Sequence, residues 1–443
     1  MQLVGHRPPT VRDHRAPTAP GHGTSSPPAA EVAAPVVASM VGELPVRVEF
    51  WDGSAIGPED GPGTIRLRTP DALRRILWAP GELGVARAFV AGDLDVEGEI
   101  LPLIKSLRPA GARLHNELKT IPAVVKALHR FGLMNGPLSP PPEEAHVGGW
   151  LHTRSRDAEA ISHHYDVGND FYRLFLGETM TYSCARFADD DMTLDEAQEA
   201  KHELVCRKLG LHERPGLRLL DVGCGWGSMA IHAAREHHAQ VVAVTISKEQ
   251  AELARSRVVE AGLSDAVDVR LQDYREVQGR FDAISSIGMF EHVGSARMRT
   301  YFTHLHEMLE PGGRLLNHAI SSMGGSKLSS RSFTGRYVFP DGELIDVGEV
   351  ALNMEKVGLE VRDVEALREH YELTLQHWVA NLQEHWDEAV DLVGEGRARV
   401  WILYMAASSI GFGDGGLGLH QVLAVRPDVE GRSHLPRTRR SWN

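Results

Sequence analysis

Asp221-Val-Gly-Cys-Gly-Trp-Gly227 follows directly on the largely apolar run Leu217 to Leu220 and leads into a candidate helix from Ser228 to Glu236. A short apolar strand, a glycine-rich turn and a helix, in that order, hold a nucleotide-like ligand at a strand end. Glycine lets the backbone approach the ligand, and the helix N-terminus presents free N–H groups. The spacing narrows the choice. A dinucleotide fold uses G-x-G-x-x-G around a pyrophosphate, whereas the third glycine here comes one residue early, in a loop that stands behind an acid. A carboxylate at Asp221 suits the ammonium of an amino-acid-bearing nucleoside, S-adenosylmethionine (SAM). Gly223, Gly225 and Gly227 supply the loop.

Outward from this loop, strands and helices alternate. Candidate strands are 217–221, 240–245, 267–271, 281–286 and 313–318, with helical stretches between them such as 248–261 and 296–309. Pro311-Gly-Gly313 breaks the last of these helices before its strand. The alternation predicts an α/β, Rossmann-like unit over residues 150–426: a mostly parallel sheet, helices on both faces, and a ligand crevice at the carboxyl ends of the strands. Gln421 to Val425 is expected to close the sheet. Thr245-Ile246-Ser247 ends the second strand without the acid that many nucleotide folds keep for a ribose. Gln250, one turn into the next helix, is the candidate substitute. Asp273-Tyr274 ends the third strand, where Asp273 accepts from an adenine amino group or caps a helix.

The 443 residues leave room for two or three domains, and a formal charge of −13 argues against a nucleic-acid partner. Cys184, Cys206 and Cys224 form no C-x-x-C pair, which is read as excluding a disulfide framework and a thiolate zinc site and points to a reducing, cytoplasmic compartment. No apolar run approaches the ~18 residues of a membrane span. The histidines, including the His163-His164 and His237-His238 pairs, show no metal-ligand spacing, so no metal is expected.

Residues 1–43, rich in Pro, Ala, His and Gly, read as disordered, with order beginning at Pro45. Residues 44–99 read as a small α+β domain. Residues 100–149 form a basic amphipathic linker. In it Leu101, Ile104, Leu107, Leu114, Leu118, Ile121, Val125, Leu128 and Phe131 recur at helical spacing. Lys105 to Arg130 carry six basic residues and one acid, Glu117. Such a stretch is a candidate membrane-surface contact, or a solvated helix pair on the main domain. The Arg-rich residues 427–443 read as a flexible tail.

The motifs around this core are more specific. Upstream stand His164-Tyr-Asp-Val-Gly-Asn-Asp-Phe-Tyr172, Thr181-Tyr-Ser-Cys-Ala185 and Thr193-Leu-Asp-Glu-Ala-Gln-Glu-Ala-Lys201. Downstream come Met289-Phe-Glu-His-Val-Gly294, Asn317-His-Ala-Ile320, Tyr337-Val-Phe-Pro-Asp-Gly-Glu-Leu344 and His370-Tyr371. Together they resemble the cyclopropane-fatty-acid synthases and the related mycolic-acid methyltransferases, from about Ile161 to Val425. Gly84 to Glu97 is similar to the amino-terminal domain of the longer bacterial members, which suggests lipid association for residues 44–99.

The resemblance implies methylene addition across a cis double bond of a phospholipid acyl chain, at the inner face of the cell membrane. Methyl transfer to an alkene creates a carbocation, so a dry cavity with aromatic faces is wanted; Tyr165, Phe290, Tyr337 and Tyr371 are candidates. The family holds a bicarbonate ion as proton acceptor. The matching contacts are the Cys184 backbone, Glu291, His318, the Ile320 backbone and the Tyr371 hydroxyl. Tyr182, Ser183, Gly223, Gly225, Thr245, Ile246 and Gln250 would touch SAM. Cys184 reads as a packing residue that binds through its backbone, and Trp226 as packing. His318 could equally be a core histidine, and Glu291-His292 a surface helix start. The sequence leaves the oligomeric state open, a homodimer included. It also leaves open a methylene- or methyl-branched product and a SAM methyltransferase acting on a small metabolite.

Overall fold

A computed structural model describes residues 27–34, 44–111, 129–144, 167–324, 332–339 and 342–442. Leu114 to Leu128 of the basic stretch, and His163, His164 and Tyr165, lie outside them.

The first sheet contains β1 (Arg47–Glu49), β2 (Ala55–Ile56), β3 (Gly63–Leu67) and β4 (Leu94–Gly98), in the order β2-β1-β3-β4. Helices Pro70–Trp78 and Glu82–Val90 connect β3 to β4. Residues 29–34 are helical and docked, contrary to the disorder expected of residues 1–43. The free N–H groups of their first turn find distant acceptors: Ala29 donates to Asp52 Oδ2 at 2.7 Å and Ala30 to Ser54 Oγ at 2.9 Å.

The second sheet is built from β5 (Arg218–Val222), β6 (Gln240–Thr245), β7 (Val267–Leu271), β8 (Phe281–Ile287), β9 (Leu309–Ser322), β10 (Ile345–Asp346), β11 (Glu360–Ala366) and β12 (Leu417–Val425). Their order is β11-β12-β9-β8-β5-β6-β7, with β10 beside the end of β9. Strands β7 to β9 run parallel, and β12 and β11 run antiparallel. Two expectations change here. Gln421–Val425 does not close the sheet, because β12 lies inside it and β11, with its alternating charges, takes the edge. Pro311-Gly-Gly313 sits within β9, beside a register shift against β8, rather than ahead of the strand.

Helices Leu194–Leu209, Ser228–His237 and Lys248–Glu260 pack on one face, and Met298–Met308 and Val347–Lys356 on the other. β5 pairs with β6 on one side and β8 on the other, so the chain reverses direction there and leaves a crevice at the strand ends.

The long helix Glu395–Gly413 ties the two sheets together. Its buried Arg399 donates to the Phe89 and Leu94 carbonyls, both at 3.2 Å, and pairs with Asp95 at 3.2 Å. Phe50, Phe89, Tyr172, Trp378 and Trp401 share one apolar cluster across that junction. Residues 427–442 are docked rather than loose. Trp442 is buried among the helices of the first face and Arg439 pairs with Asp363.

Candidate active site

A cleft opens at the carboxyl ends of β5 to β8. Asp221, Gly223 and Gly225 line it from the first loop, Thr245, Ile246 and Gln250 from the second, and Asp273 and Tyr274 from the third. Tyr182 and Ser183 face them from the segment before helix Leu194–Leu209. Gly223 has φ +78°, and a Cβ there would stand 2.9 Å from the Met289 side chain, so glycine is required both for conformation and for space. Gly227 belongs to a different task from the one expected: it is not in the lining, and its Cβ position faces Ala254 at 3.2 Å. It lets the following helix begin against helix Lys248–Glu260.

Asp221 is buried. Its Oδ1 accepts from Ser285 at 2.7 Å, and its Oδ2 has no partner. Burial raises its carboxyl to about 6, against the lowering effects of the Ser285 bond and of Lys201. Lys201 is buried in the same cleft, with Nζ 2.9 Å from Ser183 Oγ, and burial lowers its ammonium to about 7. A buried carboxylate oxygen without a donor and a buried ammonium held by one hydroxyl are costly unless a ligand completes them. The zwitterionic methionyl end of SAM carries the two complementary charges. In the sequence Lys201 is only the end of a motif, because nothing in its helical spacing separates a buried lysine from a solvated one.

Two adenosine-side expectations are modified. Asp273 lines the cleft, but it caps the turn Tyr274–Glu276 by accepting from Arg275 N at 2.9 Å and also pairs with the Arg275 guanidinium. Its carboxylate thus serves the turn while also lining the cleft. Gln250 accepts from Thr245 Oγ1 at 2.9 Å, which leaves its NH2 group as the donor for a ribose.

A second, largely apolar cavity adjoins the first through Tyr182, Ser183, Gly288 and His292. All five residues matched to the anion site line it: Cys184, Glu291, His318, Ile320 and Tyr371. Glu291 is neither a surface cap nor solvated. Its Oε1 accepts from Ile320 N at 2.7 Å, its Oε2 has no partner, and burial raises the carboxyl to about 7. The Ile320 N–H is therefore engaged by Glu291, not held for a ligand as expected. Burial also lowers His292 to about 4, leaving it neutral. Burial pushes the Cys184 thiol far up, and its Sγ lies 3.1 Å from the Ala185 carbonyl, so thiolate chemistry is excluded.

His318 has a defined tautomer. Lys208 can only donate, and its Nζ lies 2.8 Å from Gln421 Oε1. That fixes the Gln421 NH2 toward His318 Nδ1, at 3.2 Å. Nδ1 accepts, so the ring proton sits on Nε2, which has no protein partner. Burial holds the ring well below its ordinary value, and hence neutral. Lys208 is anchored in turn by Asp363 at 3.4 Å and by Glu365. Sequence reasoning missed this relay because its members come from a helix, β12 and β11, whose adjacency only the sheet order creates.

Of the aromatic candidates, Tyr371 lines the cavity, its ring tilted by 37° against Phe412 with centroids 4.6 Å apart. Phe290 instead packs on Phe302, and Tyr337 on Phe333. Tyr404, Phe412 and Phe339 take the places expected for them. Trp226 is buried, with Nε1 donating to Asn169 at 2.7 Å, and also faces the cleft. The reading that no histidine has metal-ligand geometry fails at one place behind the cleft, where His237 approaches His232 and Cys206. Those residues lie far apart in sequence and meet only when two helices pack.

The sheet order, the glycine turn after β5 and the cleft at the switch point define a Rossmann-like, SAM-dependent methyltransferase. Residues 152–422 match the mycolic acid cyclopropane synthetase family, and the chain belongs to that family. It is 43% identical over 412 residues to the probable fatty acid methyltransferase Rv3720 of Mycobacterium tuberculosis, covering 90% of this chain and 95% of that one. It is 33% identical over 369 residues to the cyclopropane-fatty-acyl-phospholipid synthase of Escherichia coli K12, covering 82% and 88%. A solved structure of mycolic acid cyclopropane synthase CmaA1, complexed with SAH and CTAB, superposes with a TM-score of 0.57 at 34% identity, covering 60% of this chain and 97% of that chain.

Proposed function

We propose that this protein transfers a methyl group from SAM to a cis double bond of an unsaturated fatty acyl chain of a phospholipid and closes it to a cyclopropane. One observation carries the reading: a cleft with unfilled charges of both signs shares a wall with an apolar cavity. That cavity presents one unpartnered donor, His318 Nε2, and one unpartnered acceptor, Glu291 Oε2.

SAM supplies an electrophilic sulfonium methyl. Asp221 and Lys201 receive its ammonium and carboxylate, and the Gly223–Gly225 backbone lies along it. An isolated alkene is a weak nucleophile, so Tyr182 and Ser183, common to both cavities, must hold it about 3–3.5 Å from the methyl carbon. As the new C–C bond forms, the C–S bond breaks and positive charge passes to the alkene carbons. The wall formed by Leu344, Leu417 and Leu419 excludes water. The faces of Tyr371, Tyr404 and Phe412 favour the cation, by about 0.5–2 kcal/mol each. A proton then leaves the former methyl group and the ring closes. A bound bicarbonate would be held by the Nε2–H of His318 and the carboxylate of Glu291, since it carries both acceptor oxygens and one O–H, and would supply the proton acceptor.

Similarity to a fatty acid methyltransferase supports a second reading, in which another proton is lost and an exocyclic methylene or methyl branch results. A small polar substrate is disfavoured by the apolar second cavity. The test is incubation with mixed unsaturated phospholipids and labelled SAM, followed by proton NMR of the lipids. Upfield ring protons support cyclopropanation, vinylidene signals the branched route, and no lipid product with stoichiometric turnover elsewhere rejects both.

A phospholipid substrate calls for peripheral docking on the cytoplasmic face of the membrane. Among the described residues no helix is long and apolar enough to cross a bilayer. Trp78 is 48% exposed and Met134 66%, beside Arg130 at the end of the basic stretch. Exposed apolar and basic side chains together suit an anionic interface. Changing Lys119, Lys126 and Arg130 to Glu should abolish co-sedimentation with anionic vesicles; unchanged sedimentation rejects the docking surface.

A further inference from the structure

Behind the cleft, helices Leu194–Leu209 and Ser228–His237 bring together four side chains that the methyl-transfer reading does not use. Cys206 Sγ and one ring nitrogen each of His232 and His237 lie within 4.8 Å of one another. Glu203 joins them from the turn before Cys206. Its Oε2 is 2.8 Å from His237 Nε2 and 3.4 Å from His232 Nε2. The cysteine is buried, while Glu203 is about one-third exposed and forms the outer rim.

We infer that Cys206, His232 and His237 form a three-ligand site for a zinc-class divalent metal ion, with Glu203 hydrogen-bonded to the two imidazoles at its rim. The spacing supports this. Around an ion with bonds of ~2.0–2.2 Å to nitrogen or oxygen, adjacent ligand atoms lie roughly 3.3–3.5 Å apart. The carboxylate-to-imidazole contacts, at 2.8 and 3.4 Å, are hydrogen-bond distances that orient the two rings. A zinc–sulfur bond of ~2.3 Å requires a sulfur-to-nitrogen edge of roughly 3.6 Å. The thiol therefore closes by no more than about 1.2 Å, which a side-chain torsion supplies. One sulfur and two imidazoles form a borderline-soft set that selects zinc, cobalt or nickel over magnesium and calcium. The thiol proton leaves to solvent past Glu203 as the metal–sulfur bond forms.

The position gives the site a consequence. Helix Ser228–His237 begins at the glycine loop, and helix Leu194–Leu209 carries Lys201 and His202 into the cleft wall. An ion bridging the two fixes the floor against which the cofactor lies. No lattice of acidic groups is involved, and the ligands are spread over two packed helices rather than one loop.

The test is titration of the full-length, chelator-treated protein with Co2+ as the probe. One equivalent should give the thiolate-to-cobalt absorption in the near ultraviolet together with tetrahedral visible bands, both displaced by Zn2+. Zn2+ should also raise the melting temperature by several degrees. Cys206→Ser should lose the near-ultraviolet band, and His237→Gln, which keeps a hydrogen-bonding side chain toward Glu203, should weaken binding at least tenfold with an unchanged metal-free melting temperature. His238→Asn, an adjacent exposed position, should bind like the parent protein. Absence of the thiolate band in the parent protein overturns the site. So does a band that persists in Cys206→Ser, or His237→Gln binding with parental affinity.

Discussion

Glu291 accepts from the Ile320 backbone through one oxygen and presents the other, unpartnered, to the apolar cavity. Replacing it with Gln keeps the shape and removes the charge. Turnover should fall at least about 100-fold, roughly 2.7 kcal/mol on the barrier, with SAM affinity within about twofold. Activity within twofold of the parent rejects the anion-binding role. Asp221 and Lys201 make a separate prediction about pH. Asp221 titrates at about 6 and must be ionised to pair with an ammonium; Lys201 titrates at about 7 and must be protonated to pair with a carboxylate. Affinity for S-adenosylhomocysteine should therefore fall on the acid side of about 6 and on the alkaline side of about 7. Calorimetry should find the acid limb missing in Asp221→Asn and the alkaline limb missing in Lys201→Met. A flat profile in the parent protein contradicts both assignments. At this scale the strand-end residues were legible, since DxGxGxG fixes where Asp221 and Gly223 stand. Lys201 and Tyr404 were not, because a lysine inside a polar helical pattern and a tyrosine inside an apolar one carry no local mark of facing a cavity.

Strand positions were read from sequence almost residue by residue where apolar runs ended in glycine or an acid, as at β5, β6 and β7. β11 escaped, since Glu360-Val-Arg-Asp-Val-Glu-Ala366 alternates too many charges to look buried, and only an edge position tolerates it. The helical residues 29–34 escaped for another reason: their capping partners, Asp52 and Ser54, lie beyond any local window. The last described segment also belongs to the sheet layer. Trp442→Ala should cost about 3–5 kcal/mol in urea denaturation, as expected for a buried tryptophan, and a loss below about 1 kcal/mol would contradict its burial. The relay through β12 is testable as an element. Gln421→Leu should leave cofactor binding intact, lower turnover about tenfold or more, and mix the two His318 tautomers in nitrogen-15 NMR. An unchanged tautomer rejects the relay.

The two sheets share a core through Glu395–Gly413, so residues 44–99 should not unfold ahead of the larger sheet. Arg399→Met removes the donor to two carbonyls and takes one partner from Asp95. Asp95 keeps Arg68, so the loss comes mainly from the two buried carbonyls and is about 1–3 kcal/mol each. Tryptophan fluorescence and circular dichroism should give coincident transitions in the parent protein and separated ones in the variant. Separated transitions in the parent would mean that the junction contributes little. The sequence pointed to two structural units but not to their union, because Arg399 and its acceptors are about three hundred positions apart.

Gln421 follows the glycine turn by nearly two hundred residues, yet it decides which nitrogen of His318 bears hydrogen. During synthesis the glycine turn therefore leaves the ribosome long before the strand that orients the imidazole. A polypeptide terminated ahead of β12 would lack both that orientation and an interior strand of the larger sheet.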